Sequence, residues 1–72
     1  MEYIGNVKTG MEVEIIDIEN SSEPLIKRLE AMGLKKGKRV KLLMKSGRNI
    51  VIKINSLRLV IDTKIAKCIK VK

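Results

Sequence analysis

Apolar and polar residues alternate over most of this chain, and the places where the period changes divide it into elements. Glu12–Glu19 reads Glu-Val-Glu-Ile-Ile-Asp-Ile-Glu, an alternation whose apolar set changes phase at Ile15-Ile16. That predicts a first strand with a bulge or bend at the phase change. Asn20-Ser21-Ser22-Glu23-Pro24 follows: turn and cap formers, then a proline where a first helical turn tolerates one. Leu25, Leu29 and Met32 fall at i, i+4 and i+7 with Ile26 beside them, while Lys27, Arg28 and Glu30 lie on other faces. One short amphipathic helix is predicted. Gly33 ends it, where a left-handed cap needs a residue without Cβ.

Beyond Gly33 the period is two. Val40, Leu42 and Met44 alternate with Lys41, Leu43 and Lys45; Ser46-Gly47-Arg48 is a tight-turn signal; Ile50, Ile52 and Ile54 then alternate with Val51 and Lys53. Asn55-Ser56 marks a second turn before Leu57, Leu59 and Ile61, which alternate with Arg58 and Val60. Asp62–Ala66 is too short for a stable helix and predicts a single 3₁₀ turn capped by Asp62. Ile69 and Val71 form a last strand, with Cys68, Lys70 and Lys72 outside it and Cys68 outward on an edge.

The sum is five short strands, with one short α-helix between the first two. So small a chain removes exposed strand edges most cheaply by closing its sheet. The expected fold is therefore mainly β: a small SH3-like five-stranded barrel forming a single domain over residues 1–72. A weak internal echo runs through it, Val7-Lys-Thr-Gly10-Met-Glu-Val13 against Leu34-Lys-Lys-Gly37-Lys-Arg-Val40. Each copy sets a glycine turn just before a strand, the same turn chemistry used twice.

Composition narrows the chemistry. Ile, Leu and Val make up a third of the 72 residues, too apolar for a disordered tail, and Tyr3 is the only aromatic. There is no His and one Cys, which excludes an intrachain disulfide and zinc sites built on imidazole or paired thiolates. General acid–base catalysis loses its commonest residue, and Cys68, flanked by Lys67 and Lys70, has no imidazole to act as its base. No enzyme is expected. Gly5 and Gly10 have phosphate-loop spacing, but Met11-Glu12 stands where Lys-Ser/Thr would be needed. The acidic row Glu12, Glu14, Asp17 and Glu19 could attract hard cations, yet it reads first as a solvated strand face. No cofactor is expected, and divalent metal binding is expected to be weak at most. No apolar run reaches the ~20 residues of a membrane span, so the chain is expected to be soluble and cytoplasmic.

Charge is unevenly placed. The net charge is +8, but residues 1–30 hold seven acids and three bases, whereas residues 31–72 hold thirteen bases and a single acid, Asp62. The alternation turns Lys41 and Lys53 away from Val40, Leu42, Ile52 and Ile54, and Arg58 away from Leu57 and Leu59. These three cations are the candidate partner-facing residues, suited to an acidic protein or a nucleic acid. Small-barrel nucleic-acid binders usually stack bases on aromatic side chains, and Tyr3 alone offers no platform. A basic nucleic-acid-binding module is therefore the alternative reading.

Arg28-Leu29-Glu30-Ala31-Met32-Gly33-Leu34-Lys35-Lys36-Gly37-Lys38-Arg39-Val40 resembles the FeoA-like family, whose pattern is Arg-Leu-x-x-Met/Leu-Gly-(Leu/Ile/Val)-x-x-Gly-x-x-Val. The closing Ala66-Lys-Cys-Ile69-Lys-Val71 and the lead-in Gly10 are also similar. The resemblance implies an SH3-like fold and a small cytoplasmic accessory or regulatory protein of ferrous iron transport. It would act by contact with the cytosolic domain of a FeoB-type ferrous iron permease, and a homodimer is compatible with it. Leu29, Met32, Gly33 and Gly37, which carry the motif, are expected to be structural: two core side chains, the helix end and the turn into the next strand.

Overall fold

The computed structural model describes residues 2–72, and in them six strands form one antiparallel sheet. In chain order these are β1 (Glu2–Tyr3), β2 (Glu12–Ile18), β3 (Arg39–Ser46), β4 (Asn49–Ile54), β5 (Leu57–Asp62) and β6 (Ile69–Val71). A 3₁₀ turn (Ile4–Asn6) follows β1, helix α1 (Glu23–Ala31) joins β2 to β3, and α2 (Thr63–Ala66) joins β5 to β6. The strand order is β1-β6-β2-β3-β4-β5.

The mainly-β, SH3-like expectation holds in outline and needs two corrections. There are six strands rather than five, because Glu2 and Tyr3 pair with Val71 and Lys70. The helix consequently lies between the second and third strands. The sheet is also not closed, since β1 and β5 remain its two ends. The 3₁₀ turn that follows β1 packs against α2, which follows β5: a Cβ on Gly5 would lie 3.5 Å from that of Ala66.

Helix α1 follows from its ends. Ser22 is the N-cap, its hydroxyl accepting the Leu25 N–H at 3.3 Å, and Pro24 sits in the first turn. At the other end the Leu34 N–H donates to the Leu29 carbonyl and the Gly33 N–H to that of Glu30, both at 2.9 Å. This is the Schellman pairing, and it requires the positive φ of 95° found at Gly33. Leu29 and Leu34, the two residues that motif brings together, are both buried. Met32 is half-buried and packs against the same core. At Asp62–Ala66 the cap is as expected, the Asp62 carboxylate accepting the Ile65 N–H at 2.9 Å. The turn itself is α-helical rather than 3₁₀, with Lys67 N–H donating to the Thr63 carbonyl.

The phase change at Ile15-Ile16 is a register shift: Ile15 pairs with Val71, but Asp17 with Lys70. The two halves of the internal echo meet in space, with Val13 opposite Val40. Each lead-in glycine donates to the strand of the other half, Gly10 to the Leu42 carbonyl (2.7 Å) and Gly37 to that of Ile15 (2.8 Å).

Three side-chain placements differ from simple alternation. An extra residue at Leu43 shifts the β3–β4 register between Leu42 and Met44, which puts Met44 on the outer face, 50% exposed. Leu57 shares the inward parity of Leu59 and Ile61 but is 56% exposed, because it lies at the turn on an end strand with no neighbour beyond it. Cys68 precedes β6 and is half-buried, its thiol 3.5 Å from the Lys64 carbonyl, and β6 is not an edge strand but lies between β1 and β2.

Candidate cationic interface

Two tight hairpins, turning at Gly47-Arg48 and Asn55-Ser56, hold β3, β4 and β5 in register. Positive φ at Gly47 (59°) and Asn55 (56°) satisfies the backbone of these two-residue turns. In that register Lys41 stands directly opposite Lys53, and Lys53 directly opposite Arg58. Alternation turns each of the three outward within its own strand; the pairing makes them one continuous row across three strands. Directly opposed positions bring Cβ atoms within about 4.5–5.5 Å, close enough for like charges to repel. All three side chains are exposed, and none forms an ion pair with a described residue.

The row ends at β2, where Glu12 lies opposite Lys41 but spends its carboxylate on Arg39 at 3.2 Å. Glu12, Arg39, Lys41, Lys53 and Asn55 line an open groove. Alongside the row on the same face runs an apolar one, Met44 opposite Val51 opposite Val60. Periodicity alone missed this second row, because the bulge at Leu43 is what turns Met44 outward.

The acidic residues of β2 and its end do not gather. Asp17 accepts the Ile18 N–H at 2.9 Å and lies 3.7 Å from Lys36, while Glu19 lies 3.5 Å from Lys70 and accepts the Tyr3 hydroxyl. Among the described residues no three Asp, Glu or Cys side chains converge on a point where an ion could sit. Of the motif residues, Leu29 is buried in the core, Met32 packs against it, Gly33 ends α1 and Gly37 leads into β3.

Tyr3 is not a loose terminal residue but part of β1, and its phenol is tied to Glu19. Accepting that proton keeps the phenol protonated, so its pKa is raised above the ordinary 10.0, with burial and the nearby Glu19 charge adding to the effect. As the only aromatic, Tyr3 can be titrated cleanly by tyrosinate absorbance. The titration is expected to lie above 10.0 in the folded protein and to move back toward it in Glu19→Gln. The stabilisation this bond contributes is present below pH 10.0 and is lost as pH rises through the raised folded value. A Tyr3 titration indifferent to Glu19→Gln would remove the assignment.

No helix among the described residues is long and apolar enough to cross a membrane. A search of curated proteins found no significant match. Solved structures with this fold include an iron uptake regulatory protein (FeoA), 21% identical with a TM-score of 0.87, the match covering 99% of this chain and 93% of that one. The FeoA protein from Chlorobium tepidum is 24% identical with a TM-score of 0.88, covering 96% of this chain and 67% of that one. A manganese-dependent transcriptional repressor is similar as well, at 14% identity and a TM-score of 0.85, but the match covers 94% of this chain and only 39% of that protein. At these identities the likeness establishes the fold. Membership comes from the sequence itself: the FeoA domain pattern runs through residues 4–72, and the chain belongs to the FeoA domain family.

Proposed function

We propose that this protein serves ferrous iron transport as a small cytoplasmic accessory protein without catalytic activity of its own. It docks through Lys41, Lys53 and Arg58 on an acidic surface of the cytosolic domain of a ferrous iron permease. FeoA-domain membership supports the process. The observation that carries the docking surface is the directly opposed cation row, left without ion-pair partners among the described residues. Like charges facing one another across strands cost stability. A local arrangement that opposes folding is where function is to be sought. Carboxylates of a partner laid along the row would relieve the repulsion and gain charge-assisted hydrogen bonds. Any contact with divalent iron is weak, because the carboxylates are scattered and three of them already face a cation.

Reversal of the row tests this. Lys41→Glu, Lys53→Glu and Arg58→Glu together are expected to abolish binding to the permease domain, at about tenfold or more per cation. Wild-type binding should weaken with salt, as charges more than ~8–10 Å apart are screened. Lys53→Glu alone is the sharper variant, since it sets a carboxylate between Lys41 and Arg58. It is expected to raise the urea midpoint, by ~0.2–1 kcal/mol per new pair, while binding falls. Docking elsewhere, on α1 or the acidic β2, is the conclusion if charge reversal leaves permease binding intact. The nucleic-acid reading replaces this one if the wild type prefers RNA, with a steep salt slope, over the permease domain.

A further inference from the structure

Strand β5 ends the sheet and pairs only with β4. Successive residues of an antiparallel strand turn their backbone groups to opposite sides. Ile54 and Leu57 flank the two-residue turn and share the inner ladder, so Leu57, Leu59 and Ile61 bond to β4. Arg58, Val60 and Asp62 are left with N–H and C=O groups facing the open side. Proteins blunt such an edge with proline, a bulge, a very short strand, a covering helix or charged side chains, and of these β5 carries the charges of Arg58 and Asp62. The opposite end, β1, is two residues long and runs straight into a 3₁₀ turn. β5 is six residues long, has no proline, and keeps unbroken register with β4. Its midpoint, Val60, is 65% exposed. At its far end Thr63 N–H donates back to the Arg48 carbonyl at 2.8 Å, holding the departing chain on the β4 side.

We propose that this edge is an interface for a second copy of the same chain, pairing antiparallel about a two-fold axis with Val60 opposite Val60 of the second copy. The charges select that register. Pairing centred on Arg58 opposes two guanidiniums, and pairing centred on Asp62 opposes two carboxylates. The intermediate registers set Arg58 or Asp62 against Val60 and leave both charges unmatched. Only the Val60-centred register puts Arg58 opposite Asp62 at both ends, with valine against valine between them. It also matches every outward N–H of Arg58, Val60 and Asp62 with an outward C=O of the second copy. Asp62 can serve both roles, since one carboxylate oxygen accepts the Ile65 N–H and the other remains for Arg58 of the second copy. On the outer face the apolar row Met44–Val51–Val60 would then continue into its symmetry mate, covering the most exposed of those side chains. Lys41 and Lys53 stay outside the contact, so Arg58 is the one residue it shares with the proposed docking row.

Sedimentation equilibrium of the full chain tests the pairing. The mass is expected to rise from 8.1 kDa toward twice that value over a series reaching about 1 mM, the range of small interfaces. Val60→Pro deletes an N–H on the open side without touching the β4 ladder, and should hold the mass at 8.1 kDa with an unchanged circular dichroism spectrum. Arg58→Asp and Asp62→Arg should each be monomeric alone and form a dimer when mixed, because each supplies the charge the other lacks. Asp62→Arg also removes the α2 cap, so Val60→Pro and Arg58→Asp decide the matter if it fails to fold. Lys41→Glu, two strands away from β5, should leave the dimer unchanged while weakening permease binding, which separates this contact from permease docking. A wild type that stays monomeric throughout, or a dimer that survives both Val60→Pro and Arg58→Asp, would overturn the proposal.

Discussion

Leu29→Ala is expected to remove about 2–5 kcal/mol of folding free energy, the range for truncating a buried leucine. Leu29 is 1% exposed and is the one fully buried side chain of α1, so its loss leaves the helix without its main anchor. It also strips the hydrophobic partner from Leu34 in the helix-ending turn. A chain of 72 residues holds about 4–11 kcal/mol in all, at ~0.05–0.15 kcal/mol per residue. The substitution therefore consumes a large share of the stability, and the upper end of its range unfolds the protein. Even the lower end should depress the melting temperature by about 8 °C or more. Leu29→Met keeps the volume and should cost less than ~1.5 kcal/mol. Equal denaturation midpoints for Leu29→Ala and wild type would show that α1 is not anchored through this residue.

Gly33→Val should cost more than the ~1 kcal/mol that separates poor from good helix formers, because strain is added. The φ of 95° at Gly33 is closed to a β-branched side chain, and a Cβ there would meet the Ile54 Cδ1 at 3.4 Å. That contact is ordinary in itself, so the backbone supplies most of the penalty, on the order of 1–3 kcal/mol. Gly37→Val makes a useful comparison: its φ is 86°, but nothing lies within 4 Å of an added Cβ. Strain alone predicts similar losses at the two sites, with any excess at Gly33 coming from Ile54 and the valine's outer methyls. A valine tolerated at Gly33 without a shift in urea midpoint would remove the cap assignment.

Both predictions concern residues whose roles are legible in the sequence. Ser22, Pro24 and Gly33 bracket α1 through short-range rules, since a cap is decided within a few residues of itself. The two hairpins are equally local, set by Gly47-Arg48 and Asn55-Ser56 between alternating runs. The faces of Lys41, Lys53 and Arg58 followed from period two within each strand. The bend at Ile15-Ile16 was visible as a phase change, although the strand it pairs with was not.

The tertiary structure decided whatever depends on one strand meeting another. That Lys41, Lys53 and Arg58 form one uninterrupted row is a matter of register, which alternation within single strands does not contain. The bulge at Leu43 that exposes Met44 is a mismatch between two strands, invisible in either alone. Strand β1 carries too few residues to show a period and exists because β6 offers it a ladder. Whether the sheet closes depends on whether β1 and β5 meet, and each instead ends the sheet. Amino-acid order determined the caps, turns and faces, because their energies lie between near neighbours. Register, sheet order and the open β5 edge arise from contacts between distant segments, and those are settled only when the whole chain packs.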